Sequence, residues 1–141
     1  MSTGTSGGAW ASVFAAMKEV RAAWPARGWS WDNRLSCVSS SFATELDGQA
    51  RSAASLALPN EWTSSTIHRA APPVRALAER TGGLRAGQII LVSSGIGSAF
   101  PYGLWWPWGD GMTTSLRVGI DGIDSSHDVF NRLREAFKVE L

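Results

Sequence analysis

Two adjacent tryptophans, Trp105 and Trp106, constrain the fold of this chain more than any other feature, and they lie in the aromatic segment 102–111, YGLWWPWGDG. Successive side chains of a β-strand point to opposite faces, so these two indoles cannot enter the same core. An outward tryptophan is costly unless another molecule covers it. We therefore expect Trp105 to point outward from the strand and to be covered by a partner.

The position of Pro107 predicts that this strand lies at the edge of its sheet, because proline cannot donate a ladder hydrogen bond. In the neighbouring strand, Arg117 is expected to point outward and either stack on Trp105 or pair with a partner's carboxylate. A competing interpretation is purely structural, with Leu104, Trp106 and Trp108 lining the inner face of the sheet. The predicted partner-binding residues are Tyr102, Trp105, Trp106, Trp108, Asp110 and Arg117.

Charge and cysteine content exclude several classes of protein. The 141 residues include 13 Lys and Arg against 12 Asp and Glu, so the clustered basic excess of a nucleic-acid binder is missing. Cys37 is the only cysteine, which excludes an internal disulfide framework. With no apolar run long enough to span a bilayer and no secretory leader at the N-terminus, we expect a cytoplasmic protein. The Arg-, Ala- and Trp-rich composition fits a bacterial source.

Apolar periodicity predicts three helices in a single domain, residues 9–141, after a flexible segment 1–8. The first helix covers 9–24, with Phe14, Met17 and Val20 on its apolar stripe. A second is expected from Pro72 or Pro73 to Arg80, closed by the glycines that follow. The third carries Val129 and Leu133 and is expected to be capped by Ser125 or Ser126.

The strands are expected to pair mainly as hairpins. Strands 34–46 and 49–58 would flank an Asp47-Gly48 turn, with a bulge near 39–41 in the first. Strands 102–108 and 112–120 would form a second hairpin, beside a short buried strand at 88–94. This pattern predicts an α+β fold in the order α-β-β-α-β-β(β)-α, a two-layer sandwich of three helices on an antiparallel sheet of four to five strands.

No residue arrangement amounts to a catalytic or metal signature. The segment 91–99, LVSSGIGSA, resembles part of the glycine-rich nucleotide loop of short-chain dehydrogenases, but Pro101 interrupts the helix that should follow, and we interpret it as a turn. The late acidic residues, Asp110 among them, are interpreted as turn and helix caps. We expect no cofactor, metal or catalytic residue, although a Ser, His and Asp site assembled from distant residues stays open.

These expectations favour a non-enzymatic protein-binding module of the adaptor, secretion-chaperone-like or immunity-like kind. Small bacterial secretion chaperones and toxin-neutralising proteins use comparable orders of elements, which is an analogy of fold only. The partner would be another protein or a second copy in a homodimer, and neither nucleic acid nor a membrane span is expected. The alternative is a small-ligand domain, in which the indoles stack on a sugar or aromatic ring while Asp110 and Arg117 orient it.

Overall fold

The computed structural model describes residues 2–26, 28–93, 99–123 and 128–139, with side chains from Trp10 onward. Within these ranges the chain forms four α-helices and one six-stranded antiparallel sheet. The elements in chain order are α1 Ser2–Ala23, β1 Ser30–Asp32, β2 Cys37–Ala43, α2 Asp47–Ala54, β3 Asn60–Thr63, α3 Pro72–Arg80, β4 Ile89–Val92, β5 Phe100–Pro107, β6 Thr113–Asp121 and α4 Val129–Ala136. The α+β class is therefore confirmed, with more strands and helices than the sequence predicted.

The strand order is β1-β2-β6-β5-β4-β3, with every neighbouring pair antiparallel. Strand β5, which carries the aromatic segment, pairs with β4 on one side and β6 on the other. The prediction that it is an edge strand is wrong. Pro107 is the last residue of β5, where a missing backbone donor costs the ladder least.

Helices cover both faces of the sheet, and each face has its own hydrophobic core. Trp105, Leu91 and Leu116 pack with residues of α1, α2 and α4 on one face. On the opposite face, Leu104 and Ile90 pack with residues of α3. The predicted two-layer arrangement is wrong, because the alternate residues of β4 and β5 are buried on both sides.

Strand β2 shows why apolar residues of both parities need no bulge. Its register with β6 is continuous from Cys37 opposite Gly119 to Ala43 opposite Thr113. Val38 and Phe42 belong to the core under α1, α2 and α4, while Cys37 is buried on the other face. The predicted bulge near 39–41 is therefore wrong.

The segment predicted as a hairpin turn and return strand is helical. Asp47 and Gly48 begin α2, and the buried alanines of that helix, Ala50, Ala53 and Ala54, follow the spacing of one helical face. Alanine is the best helix former, and here its small side chain lets α2 pack close to the sheet.

The three helices that the sequence predicted are confirmed as α1, α3 and α4. In α1, Phe14, Met17 and Val20 form a buried stripe, which buried Trp24 continues directly after the helix. The helix begins at Ser2, within the segment expected to be flexible. Helix α3 begins at Pro72, as proposed from its proline pair. Helix α4 begins at Val129, while its expected caps, Ser125 and Ser126, lie outside the described residues. None of the helices in the described ranges has the length and apolar character required to cross a bilayer.

Candidate functional site

Trp105 is a core residue, and the expectation that it points outward is wrong. Its side chain is only 2% exposed. The ring lies 5.4 Å from that of Phe42, and the Arg51 guanidinium carbon lies 5.5 Å from its centroid. Trp105 is therefore inaccessible to a partner, and it stabilises the packing of the sheet against the helices.

Trp106 takes the opposite face and is half-buried. The Arg117 guanidinium carbon lies 4.9 Å from the Trp106 ring centroid, and Arg117 Nε donates to Asp32 Oδ2 at 3.2 Å. The prediction for Arg117 is thus wrong in its partners, because it stacks on Trp106 and pairs with a carboxylate of its own chain. This contact fills the outer side of Trp106 within the molecule.

Neighbouring hydrogen-bond donors stabilise the ionised carboxylate of Asp32. Burial raises the pKa of its carboxyl, but hydrogen bonds from the Arg34 amide and the Arg117 guanidinium outweigh that effect, and the net pKa lies below the ordinary value. Asp32 is therefore ionised at neutral pH, which keeps Arg117 in place over Trp106.

The turn between β5 and β6 is held by Asp110. Its Oδ1 accepts the backbone amides of Met112 at 2.8 Å and Thr113 at 2.9 Å, and its Oδ2 accepts the Thr113 hydroxyl at 2.9 Å. These bonds, led by that of the Met112 amide, lower the pKa of the Asp110 carboxyl. A backbone bond from the Trp108 amide to Thr113 O, at 2.8 Å, closes the hairpin. A second, from the Thr44 amide to Met112 O at 2.8 Å, joins the turn to the residue that follows β2.

This hydrogen-bonded turn carries exposed apolar side chains. Trp108 is 50% exposed and Met112 is 69% exposed, and they flank the turn on its two sides. We call residues 108–112 the hairpin tip. Met112 was not among the predicted site residues, because its parity matched that of buried Leu116. The register explains its exposure, since the last β5–β6 pair, Pro107 opposite Thr114, ends before Met112 is reached.

Tyr102 is buried and lies across the strand from Gly119. A Cβ added to Gly119 would lie 2.6 Å from the Tyr102 hydroxyl oxygen, so the phenol occupies the space that the glycine leaves. Burial raises the pKa of the Tyr102 hydroxyl, which therefore stays protonated. Tyr102 belongs to the core under α3, away from the hairpin tip.

The structure does not bring together the groups expected to orient a sugar or aromatic ligand. Both carboxylate oxygens of Asp110 accept hydrogen bonds within the turn, whereas Arg117 donates to Asp32 and to Ser115. Of the late acidic residues, Asp121 pairs with Arg80 at 2.5 Å, while Asp124 lies outside the described residues. Most of the 91–99 glycine-rich segment also lies outside them. In the part of the chain that the structure describes, no three metal-ligating side chains cluster.

Buried Cys37 has no feature of a nucleophile. Burial raises the pKa of its thiol to about 12, so the thiolate is scarce at neutral pH. Cys37 is therefore a small residue of the core.

Comparison with known proteins adds no relative to this geometry: the chain matches no family model, no curated protein and no solved structure.

Proposed function

We propose that the protein is a non-enzymatic binding module that docks on another protein through the hairpin tip. The observation that carries this proposal is that Trp108 and Met112 are both strongly exposed on a turn that Asp110 holds through three hydrogen bonds. Tryptophan is among the residues that dominate binding energy at interfaces. A turn that is already ordered loses little conformational entropy on docking, so more of the contact energy remains as affinity.

The charge of the tip favours a different protein over a second copy of this chain. Asp110 is fully exposed to solvent, and its lowered pKa keeps it ionised at neutral pH. A two-fold contact centred on the tip would bring the Asp110 carboxylates of both copies together, which is unfavourable. The partner we propose therefore offers an apolar cleft for Trp108 with a basic residue at its rim. The location we propose for this contact is the cytoplasm, where a single cysteine such as buried Cys37 needs no disulfide partner.

Site-specific photocrosslinking in the native cells tests this proposal. A photoreactive amino acid replaces Met112 in one variant and Leu56 in the other. Leu56 is the matched control because it is 49% exposed and lies away from the tip, in the connection between α2 and β3. The expected result is one crosslinked protein at position 112 that is missing at position 56. No adduct, the same adducts at both positions, or an adduct with a second copy of this chain would refute the proposed partner.

Binding measured with the purified partner then isolates the indole. Trp108→Ala is expected to raise the dissociation constant by about tenfold or more, since truncation of a central interface tryptophan costs about 2 kcal/mol or more of binding free energy. Leu56→Ala is expected to bind as the parent does. Unchanged affinity in Trp108→Ala would show that the tip is not the docking surface.

A further inference from the structure

The hairpin tip carries a methionine whose side chain is open to water. Met112 is 69% exposed, more than Leu56 and Trp108, the two other large apolar side chains that are exposed in the described residues. The chain contains three methionines and one cysteine. Two of these sulfur-bearing side chains, Met17 and Cys37, are 0% exposed. On the surface that the structure describes, Met112 is therefore the sulfur that a dissolved oxidant can reach.

Burial protects the sulfur atoms of Met17 and Cys37 from oxidation. Met17 lies on the buried stripe of α1, so an oxidant reaches its thioether only when the structure around that helix opens. Cys37 reacts as a thiolate, and burial raises the pKa of its thiol to about 12, so the reactive form is scarce at neutral pH. This difference in access predicts that a mild oxidant modifies Met112 well before either buried sulfur.

Hydrogen peroxide oxidises a thioether by transfer of one oxygen atom. The sulfur lone pair attacks a peroxide oxygen, so that an S–O bond forms, the O–O bond breaks and the second oxygen leaves with both protons as water. The sulfur loses the two electrons that the peroxide gains, and the product is methionine sulfoxide. A dithiol-dependent sulfoxide reductase reverses the change, because the sulfoxide oxygen leaves as water while the dithiol becomes a disulfide. An exposed side chain is accessible to both reactions.

The hydrogen bonds that hold the turn do not use the Met112 side chain. Asp110 accepts the backbone amides of Met112 and Thr113 together with the Thr113 hydroxyl. The Met112 carbonyl accepts the Thr44 amide. A sulfoxide at position 112 therefore lies in water and leaves these bonds in place, and its effect falls on the surface that the tip presents to another molecule.

We infer that Met112 is a reversible oxidation site, and that the hairpin tip docks more weakly while Met112 carries the sulfoxide. The weakening rests on the docking surface proposed above, whereas the oxidation site does not. Oxidation converts a flexible apolar side chain into a polar one. At an apolar contact the sulfoxide oxygen loses its hydrogen bonds to water without a replacement, which lowers the affinity. The oxidised tip stays folded, so reduction of the sulfoxide restores docking.

Peptide mapping of the free protein after treatment with hydrogen peroxide tests the oxidation site. Fragment-ion mass spectrometry locates each added oxygen, which separates Met112 from Trp108 and Met17 from Met1, a residue outside the described ranges. We expect Met112 to react about tenfold or more faster than Met17, and Cys37 to stay unmodified. Amide NMR shifts are expected to stay near the tip. Equal rates at Met112 and Met17, faster oxidation of Trp108, or shifts throughout the cores would overturn the inference.

Binding to the partner recovered by photocrosslinking tests the effect on docking. The protein is oxidised alone, and the peroxide is removed before the partner is added. Oxidation is expected to raise the dissociation constant by about fivefold or more, and sulfoxide reductases of both stereospecificities should restore the original value. Met112→Leu is the matched control, because leucine is apolar and has no sulfur, so its dissociation constant should be the same before and after peroxide. Met112→Gln, which introduces a polar amide, should weaken binding without any oxidant.

The outcomes separate this inference from the proposed function. Unchanged affinity of the oxidised parent, or an equal loss in peroxide-treated Met112→Leu, would overturn the effect on docking and leave the docking surface in place. If photocrosslinking at position 112 yields no partner, the proposed function fails and the effect on docking fails with it. The oxidation site is then still decided by peptide mapping of the free protein.

Discussion

The adjacent residues Trp105 and Trp106 show what residue pattern can and cannot establish. Alternation along the strand requires opposite faces for the two indoles, and the structure places them so. The outward position predicted for Trp105 assumed that only one face of the sheet is covered. Alternation assigns the two indoles to opposite faces but does not say which faces of the sheet are buried. The prediction of opposite faces is therefore confirmed, whereas the predicted exposure of Trp105 is wrong. The exposed indole proves to be Trp108.

Replacement of these two indoles is expected to have contrasting effects on stability. Trp105→Ala removes a fully buried ring from its contact with Phe42, and should lower the free energy of unfolding by about 3–5 kcal/mol. Trp108→Ala, on the exposed tip, should change it by no more than about 0.5 kcal/mol. Urea denaturation of both variants measures the difference. Equal losses would contradict the burial assigned to Trp105.

At the scale of elements, strong local signals were sufficient for α1, α3, α4 and the β5–β6 hairpin. Helix α3 begins at Pro72, and the positive-φ glycines Gly82 and Gly83 follow its end. Helix α2 was missed because Asp-Gly is a strong turn signal and the residues after it alternate weakly. Its buried alanines are small enough to suit either structure, so tertiary packing decides between them.

Gly48→Ala distinguishes the helix from the hairpin that the sequence suggested. In the first turn of α2, Gly48 is exposed, and an added Cβ meets nothing within 4 Å, so alanine should stabilise the protein by about 0.5–1 kcal/mol. Gly111→Ala is the contrast: its φ of +69° should make alanine destabilising by about 1–2 kcal/mol. Thermal and urea unfolding provide the measurement. A loss of stability in Gly48→Ala would support a left-handed turn at that position.

At the scale of the whole molecule, two cores share one sheet, and ionisable groups are enclosed with them. Cys37 and Tyr102 are both buried, and burial raises the pKa of each. The hairpin tip, which is the candidate site, lies at one end of this sheet. Sequence reasoning found Trp108 and Asp110 of this tip because they lie in one contiguous segment, and it missed Met112, whose exposure depends on where the β5–β6 pairing ends.

Alkaline pH is expected to destabilise the fold through these groups. The Cys37 thiol has a pKa of about 12 in the folded chain and 9.0 as its ordinary value. Between these values the unfolded chain releases the proton that the folded chain retains, so stability is full below about pH 9 and falls as pH rises, by up to roughly 1.4 kcal/mol per pH unit. Tyr102 contributes with the same sign at higher pH.

Urea titrations at about pH 8 and about pH 10.5 measure this dependence in the parent and in Cys37→Ala. The variant should lose less stability between the two conditions, and the decline that persists should reflect Tyr102 and other groups. An identical decline in both proteins would exclude Cys37 as a source of the alkaline sensitivity.

Strand β5 contributes side chains to the cores on both faces of the sheet, and this limits where the chain can vary in length. Inserting one residue after Gly103 would exchange the destinations of every side chain beyond it, sending the Trp105 indole toward α3 and the Trp106 indole toward α1. In a sheet with one buried face, such a register shift disrupts one core. Here it would place side chains of the wrong volume in both cores. Natural variants should therefore add or delete residues at the hairpin tip and leave the length of β5 unchanged.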